Sequence, residues 1–285
     1  MADTNEWIGR EERQTDRLSV PLAHRWLATL NLTPREDGPM PQGIHWCLCV
    51  PETPTARLGP DGHPASDGSP GSFQRPVQAA RRMWAGSDIT FHAPIPVSAW
   101  IERISRIEAI EEKHGGSGKL TFVTVNHETR ADSVLAVSEQ QTLVYRDAPP
   151  PGMPPAPPPL GDTRFDAGEW DAVERMVPTM PLLFRYSALT FNTHRIHYDA
   201  DYVRNVENYR GPVVHGPLTA TLLLRLAARK CGENRLARFA FRGTSPAIVD
   251  EGLVLALRGP RDALELGAFA ADGRQVMKAE AACQG

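Results

Sequence analysis

Residues 216–231 read GPLTATLLLRLAARKC and are followed by Gly232. Pro217 stands in a first turn, where a missing N–H costs nothing. Arg229 and Lys230 stand in a last turn, against the negative end of the helix dipole, and the glycine lies just past the end. This punctuation predicts a helix. Leu218, Leu222, Leu223, Leu224 and Leu226 wrap most of its circumference, so it is expected to be buried on several sides. The cover follows directly: 235–243 (RLARFAFRG), 252–258 (GLVLALR), 263–269 (ALELGAF) and 275–282 (QVMKAEAA) read as short strands separated by Gly, Pro or Asp turns. The predicted unit is α+β, an antiparallel sheet wrapped around one helix.

Working outward, residues 147–161 (DAPPPGMPPAPPPLG) are a proline-rich linker, because proline removes backbone donors and favours an extended chain. It divides the sequence into a first half, 1–146, and a second half, 162–285. In the first half, 119–129 (KLTFVTVNHET) and 134–145 (VLAVSEQQTLVY) are β-rich neighbours. Residues 101–110 (IERISRIEAI) space their isoleucines three apart, as on a helix, while β-branching favours a strand, so pattern alone leaves the segment open. Residues 51–80, rich in Gly, Pro, Ser and Asp, are expected to form a long surface excursion of the kind that covers a binding site. With 18–31 (LSVPLAHRWLATLN) as its helix, the first half is expected to repeat the helix-in-sheet plan, an inference from element order alone.

The 285 residues suffice for two units of about 130 residues each. A 41% hydrophobic and 23% charged composition argues against wholesale disorder. A net charge of −3 gives no overall attraction to nucleic acid or an anionic membrane surface. No apolar run approaches the roughly 20 residues that span a bilayer, and the polar opening stretch does not read as a signal peptide. A cytoplasmic protein is expected. Cys47, Cys49, Cys231 and Cys283 are few and scattered, and are expected to be reduced structural thiols.

The densest polar cluster is LFRYSALTFNTHRIHYD, 183–199, which holds Asn192, His194, His197 and Asp199; His215 precedes the leucine-rich helix. Histidine gives or takes a proton near neutral pH. The first turn of the helix offers free N–H groups to developing negative charge, and since Pro217 has no donor, the N–H of Gly216 is the candidate, with no Cβ to hold a ligand off. An acid/base group beside an oxyanion donor is the minimum apparatus for chemistry through an enolate.

At these residues the sequence resembles the MaoC-like, or type 2 enoyl-CoA hydratase, family of hot dog proteins, whose motif G-D-x-N-P-L-H is followed by an H-G-containing helix start. The alignment implies His197 as catalytic histidine, Asn192 at the catalytic aspartate, and His215 and Gly216 at the later H-G, whose glycine N–H holds the thioester oxygen. Asn192 replaces that aspartate, His194 the asparagine, Arg195 the proline and Phe191 the glycine. This variant, with RLGPDGHP (57–64) and RRMWAGSDITF (81–91) in the first half, is similar to the branch of mesaconyl-CoA and itaconyl-CoA hydratases and mitochondrial 3-hydroxyacyl thioester dehydratases. The resemblance implies a double hot dog fold with the catalytic motif in the second half. It implies an acyl-CoA thioester as substrate, no cofactor beyond the CoA that the substrate carries, no metal, and room for a homo-oligomer. The mechanism expected has His197 deprotonating water that Asn192 orients, and Gly216 stabilising the enolate oxygen.

His194, Arg195, Tyr198, His215, Arg81, Arg82 and Trp84 join the expected substrate-binding set, each with a plainer reading. Asn192 can close an Asx turn, Arg195 can pair with Asp199 or a backbone carbonyl instead of a substrate carboxylate, Arg81 and Arg82 can be a solvated pair instead of contacts to CoA phosphates, and Trp84 can be core. His194, His197, His215 and Asp199 could alternatively hold zinc or iron. The competing functions are an acyl-carrier-protein dehydratase, a non-catalytic thioester-binding module and a thioesterase; the last would want a carboxylate that Asn192 does not supply.

Overall fold

A computed structural model of the chain describes residues 4–65, 73, 81–115, 118–148 and 152–285. Parts of the predicted excursion and of the proline-rich linker lie outside the described residues. The first half contributes β1 (Glu11–Arg17), α1 (Val20–Thr29), β2 (Pro39–Met40), β3 (Arg81–Phe91), β4 (Ile95–Pro96), β5 (Trp100–Gly115), β6 (Gly118–Ala131) and β7 (Val134–Arg146). The second contributes β8 (Ala172–Met176), α2 (Met180–Leu189), α3 (Ala200–Asn205), α4 (Gly216–Cys231), β9 (Leu236–Gly243), β10 (Leu253–Arg258), β11 (Leu264–Ala270) and β12 (Gln275–Cys283). Apart from the small β2–β4 pair, the strands form one 10-stranded sheet in the order β1-β5-β6-β7-β3-β9-β12-β11-β10-β8.

The order is nearly palindromic. In each half the first strand is an edge, pairing with β5 in one case and β10 in the other, and the halves join where β3 pairs antiparallel with β9 over Gly86–Thr90. The helix after each edge strand also repeats: α1 and α2 both carry proline in the first turn and both run into a left-handed residue, Asn31 (φ 55°) and Phe191 (φ 47°). Phe191 therefore keeps the backbone conformation that a glycine would adopt freely, at a cost of order 1 kcal/mol.

Helix α4 packs across β9, β10, β11 and β12, and its leucines 218, 223, 224 and 226 are buried in the principal core. Helix α1 packs against α2 instead, so residues 18–31 match α2 in place and not α4. In the first half the turn Ile44–Cys47, all four residues buried, precedes the main strands. The undecided segment 101–110 is strand. Ile101 and Ile107 face the core; a bulge between Ile107 and Ala109 then adds a residue, and Ile110 packs against the same cluster as Ile107. The three-residue spacing that imitates a helix is thus a strand interrupted by a bulge.

The cysteine expectation is corrected. Cys231, ending α4, and Cys283, ending β12, form a disulfide with Cα atoms 5.5 Å apart; Cys47 and Cys49 are free and buried. Fifty-two residues separate the bonded pair, so only the packing of the helix end beside the last strand brings them together. Among the described residues no helix is long and apolar enough to cross a membrane.

Candidate active site

Helix α2 ends at Leu189, and the chain then turns through Asn192 into a short 3-10 turn, Arg195–His197. The Asx turn is present: Asn192 Oδ1 accepts from the His194 N–H at 2.9 Å, which fixes the side chain at the turn. His197 is 7% exposed, and its Nδ1 lies 2.7 Å from the Val213 carbonyl oxygen. A carbonyl only accepts, so Nδ1 carries the proton and Nε2 presents a lone pair. Burial pushes the His197 pKa down to about 4, against the raising effect of the Val213 bond. At neutral pH the ring is a neutral base with its tautomer set.

His215, the residue capping α4, stacks on His197 with ring centroids 3.6 Å apart and 18° between planes. Its Nε2 is 2.8 Å from Ser187 Oγ on α2. This sandwich fixes the plane of His197 at the amino end of α4, beside Gly216. A Cβ added at Gly216 would meet nothing nearer than the Trp84 carbonyl oxygen at 3.8 Å, and its backbone is not in the left-handed region. Nothing inside the fold demands a glycine there, so the open space serves close approach by a ligand. Among the described residues the Gly216 N–H has no acceptor.

The first half completes the site. Its loop 59–65 is clamped onto the histidine segment: the Arg195 N–H donates to the Asp61 carbonyl (2.9 Å), Thr193 Oγ1 to the Gly62 carbonyl (2.5 Å) and Arg195 Nη1 to the Pro60 carbonyl (3.0 Å). Gly62 has φ +86°, and a Cβ there would lie 1.9 Å from the Thr193 carbonyl oxygen. Gly62→Ala is therefore expected to lift this loop away, lowering kcat/KM at least about tenfold, with a loss of order 1–3 kcal/mol in thermal unfolding. Unchanged kinetics would show that the clamp does not shape the site.

The clamp brings His63 against His194, centroids 4.0 Å apart, and His194 in turn meets His197 edge-on at 5.6 Å. Four imidazoles, His63, His194, His197 and His215, thus form one continuous array. His194 is held well below the usual imidazole range, first by burial and then by the charges of His63, His197 and Arg82. Asp61, His63 and His194 are the described residues nearest to a metal-ligand set, their donor atoms lying within 4.8 Å of one another. Asp61 Oδ2 already meets His63 Nδ1 at 3.2 Å, an acceptor–donor contact between two members of that group. In the alternative set of His194, His197, His215 and Asp199 the carboxylate is engaged elsewhere: Asp199 caps α3 through the Tyr202 N–H (2.9 Å) and pairs with Arg195 at 2.7 Å.

Residues 43–249 match the model of the family described as hydroxyacyl-thioester dehydratase type 2. The chain belongs to that family. It is 39% identical, over 98% of its own length and 97% of the relative's, to the mesaconyl-C(4)-CoA hydratase of Chloroflexus aurantiacus. Two solved structures share the fold. One is a MaoC-like dehydratase from Phytophthora capsici (TM-score 0.72, 13% identity, all of both chains); the other is a Mycobacterium tuberculosis protein with a double hot dog fold (TM-score 0.59, 13% identity, 97% of this chain and 96% of that one). The fold is a double hot dog, and the chain is an enzyme of the hydro-lyase class.

Within this dehydratase-family chain, several expected substrate-binding residues are occupied otherwise. Arg81 is buried, with Nε 2.7 Å from Glu207 Oε2 and its guanidinium also on the Glu207 carbonyl, so it joins the halves and is not free for a phosphate. Arg195 spends its guanidinium on Asp199 and Pro60 and shapes the loop clamp instead of meeting a substrate carboxylate. Tyr198 is exposed, its hydroxyl donating to the Thr193 carbonyl at 3.0 Å. Trp84 donates to Ser87 Oγ (2.9 Å) and packs edge-on against Trp46, as core, while its backbone carbonyl faces Gly216. Among the described residues the Arg82 guanidinium has no hydrogen-bond or ion-pair partner, while its backbone pairs in the β3–β7 ladder. It shares a strand face with Trp84, since β3 pairs Arg82 with Tyr145 and Trp84 with Leu143.

Sequence reasoning missed Asp61 and His63 as site residues, although RLGPDGHP was noted. Only the interleaving of D, G and H could have flagged them, a weak signal in a turn-forming stretch. It also missed a second buried cluster, in which Trp46 Nε1 (3.2 Å) and Ser87 Oγ (2.5 Å) both donate to Glu139 beside His45. Against the raising effect of burial, the His45 imidazole first, then His127 and the Ser87 hydroxyl, pull the Glu139 pKa down to about 2, and the cluster belongs to the first half.

A catalytic base with the low pKa of His197 would carry a kinetic signature. The acid limb of kcat/KM is expected near pH 4, where the ring protonates, and not near the 6.5 of an unperturbed imidazole. Initial rates after brief pH jumps measure it, and a limb between 6 and 7 contradicts the assignment.

Proposed function

We propose that this enzyme reversibly hydrates an α,β-unsaturated acyl-CoA thioester whose acyl group is short and branched or dicarboxylic, of the mesaconyl-CoA or itaconyl-CoA type. The observation that carries the reading is His197, neutral and with Nε2 unprotonated, stacked on the residue that caps α4, next to a glycine N–H without an acceptor. With the thioester carbonyl on the Gly216 N–H, Nε2 of His197 removes a proton from water as the oxygen bonds to Cβ. The double-bond electrons pass toward the carbonyl, and the enolate oxygen is held at the positive end of α4. Protonation of Cα completes hydration, and the reverse sequence is dehydration.

Arg82 supports a dicarboxylic acyl group. Its unpaired guanidinium is on the strand that passes Gly216 and lies near His194, at the reacting end of the site, whereas the pantetheine arm would keep CoA phosphates well away from the thioester. The test follows the conjugated enoyl-thioester absorbance with crotonyl-, mesaconyl- and itaconyl-CoA and a carrier-protein-bound enoyl substrate. Loss of absorbance with a dicarboxylic CoA ester, without thiol release, is the expected result. Thiol release would mark a thioesterase, preference for the carrier-bound substrate a dehydratase of acyl carrier chemistry, and binding without turnover a non-catalytic module.

A further inference from the structure

Asn192 leaves an account open. It stands where the resemblance implies a carboxylate, and a neutral amide closing a turn neither takes nor gives a proton, so it adds no acidic partner to His197. The first half supplies both missing parts. Asp61, buried, has Oδ2 3.2 Å from His63 Nδ1 and Oδ1 3.1 Å from the His63 N–H. A carboxylate only accepts, so Nδ1 of His63 carries a proton and Nε2 is the working atom, as in His197. A carboxylate behind an imidazole also stabilises the imidazolium, which burial alone does not do for His194, His197 or His215.

We infer that His63, oriented by Asp61 and delivered by the first-half loop, is the second catalytic residue of the site: the acid that protonates Cα in hydration and the base that removes that proton in dehydration. The inference rests on the hydro-lyase reading above. The atoms balance as follows. His197 Nε2 takes one proton from water as the C–O bond forms at Cβ and the C=C pair moves to Cα and the thioester oxygen. The enolate electrons then form a C–H bond with the Nε2 proton of the His63 imidazolium, whose Nδ1 proton stays in its hydrogen bond to Asp61, and His63 is left as the neutral imidazole. His197 then releases its proton to solvent and His63, which is partly exposed, takes one up from solvent, so the enzyme ends each turnover unchanged. Asp61 is a positioning residue in this scheme.

The experiment uses the full chain and an enoyl-CoA that the wild type hydrates. His63→Gln keeps a polar side chain of similar reach in the loop and is expected to lower kcat at least about a hundredfold with KM changed less than threefold. In the dehydration direction, the primary isotope effect of a substrate deuterated at C2 is expected to rise in His63→Gln as C2–H cleavage becomes limiting, and added imidazole is expected to restore part of the His63→Ala rate. Asp61→Asn is expected to fall between wild type and His63→Gln. Near-normal kcat in His63→Gln overturns the inference. So does a lost rate with an unchanged isotope effect and no rescue by imidazole, which would make His63 a loop support. So does a wild type inactivated by a chelator and restored by zinc, which would make Asp61, His63 and His194 ligands. A wild type that hydrates no enoyl thioester fails earlier and removes the underlying reading itself.

Discussion

His197→Ala is expected to lower kcat at least about a hundredfold, and more where base-assisted attack of water limits the rate, because no neighbouring group can take its place. His194 is buried, and His215 bonds Ser187 through Nε2 while its Nδ1 stays buried without a partner; among the described residues only His197 has its tautomer set by the Val213 carbonyl so that Nε2 accepts. The variant removes one face of the His197–His215 stack but leaves the Ser187 bond and the whole of α4, so the fold is expected to persist. His197→Gln separates geometry from chemistry, since its amide can still donate to the Val213 carbonyl but cannot accept a proton at neutral pH. Both variants should bind an unreactive saturated acyl-CoA with nearly wild-type affinity while losing turnover. Turnover within threefold of wild type in His197→Ala would dismiss this imidazole as the base.

Arg81→Ala is expected to destabilise the fold by roughly 3–5 kcal/mol, the usual consequence of stranding one member of a buried ion pair. Both side chains are almost wholly enclosed, at 6% and 5% exposure. Among the described residues Glu207 would keep only the Tyr202 hydroxyl, at 3.0 Å, to satisfy its carboxylate. The loss is also regional: Arg81 belongs to β3 of the first half and Glu207 to the segment between α3 and α4, so removing the guanidinium frees the wall of the site from the sheet. Urea unfolding of Arg81→Ala measures the cost. The double variant Arg81→Met/Glu207→Leu supplies the control, because removing both charges leaves no ion buried alone and should recover most of the stability. A single-variant loss under about 1 kcal/mol would mean that water reaches Glu207.

The second-half unit was legible because its signals are local. Proline and glycine bracket α4, five leucines encircle it, and turn residues separate the strands that follow; each depends on neighbours within a few positions, which a chain records directly. His197 and Gly216 were legible for a related reason, since the spacing of a histidine-rich turn and a helix start survives in sequence. The isoleucines of β5 left helix and strand undecided because the bulge that returns Ile110 to the face of Ile107 is a long-range accommodation to β6, invisible in the strand's own residues. Arg81 and Arg82 looked alike as neighbours, yet β3 sends one to Glu207 and leaves the other beside His194, a difference set by what lies beside the strand.

From its own order of residues this chain determined a helix that had to be wrapped, a proline-rich break between two halves, and a histidine placed to meet the first turn of that helix. Tertiary structure alone decided that Cys231 finds Cys283, that α1 answers to α2, and that a glycine in the first half lets Asp61 and His63 reach a histidine more than a hundred residues away. The physical reason is range. Helix punctuation and turn chemistry act between residues a few positions apart, whereas charge pairs, ring stacks and close backbone approaches form only after a sheet has carried distant segments within a few ångströms of each other.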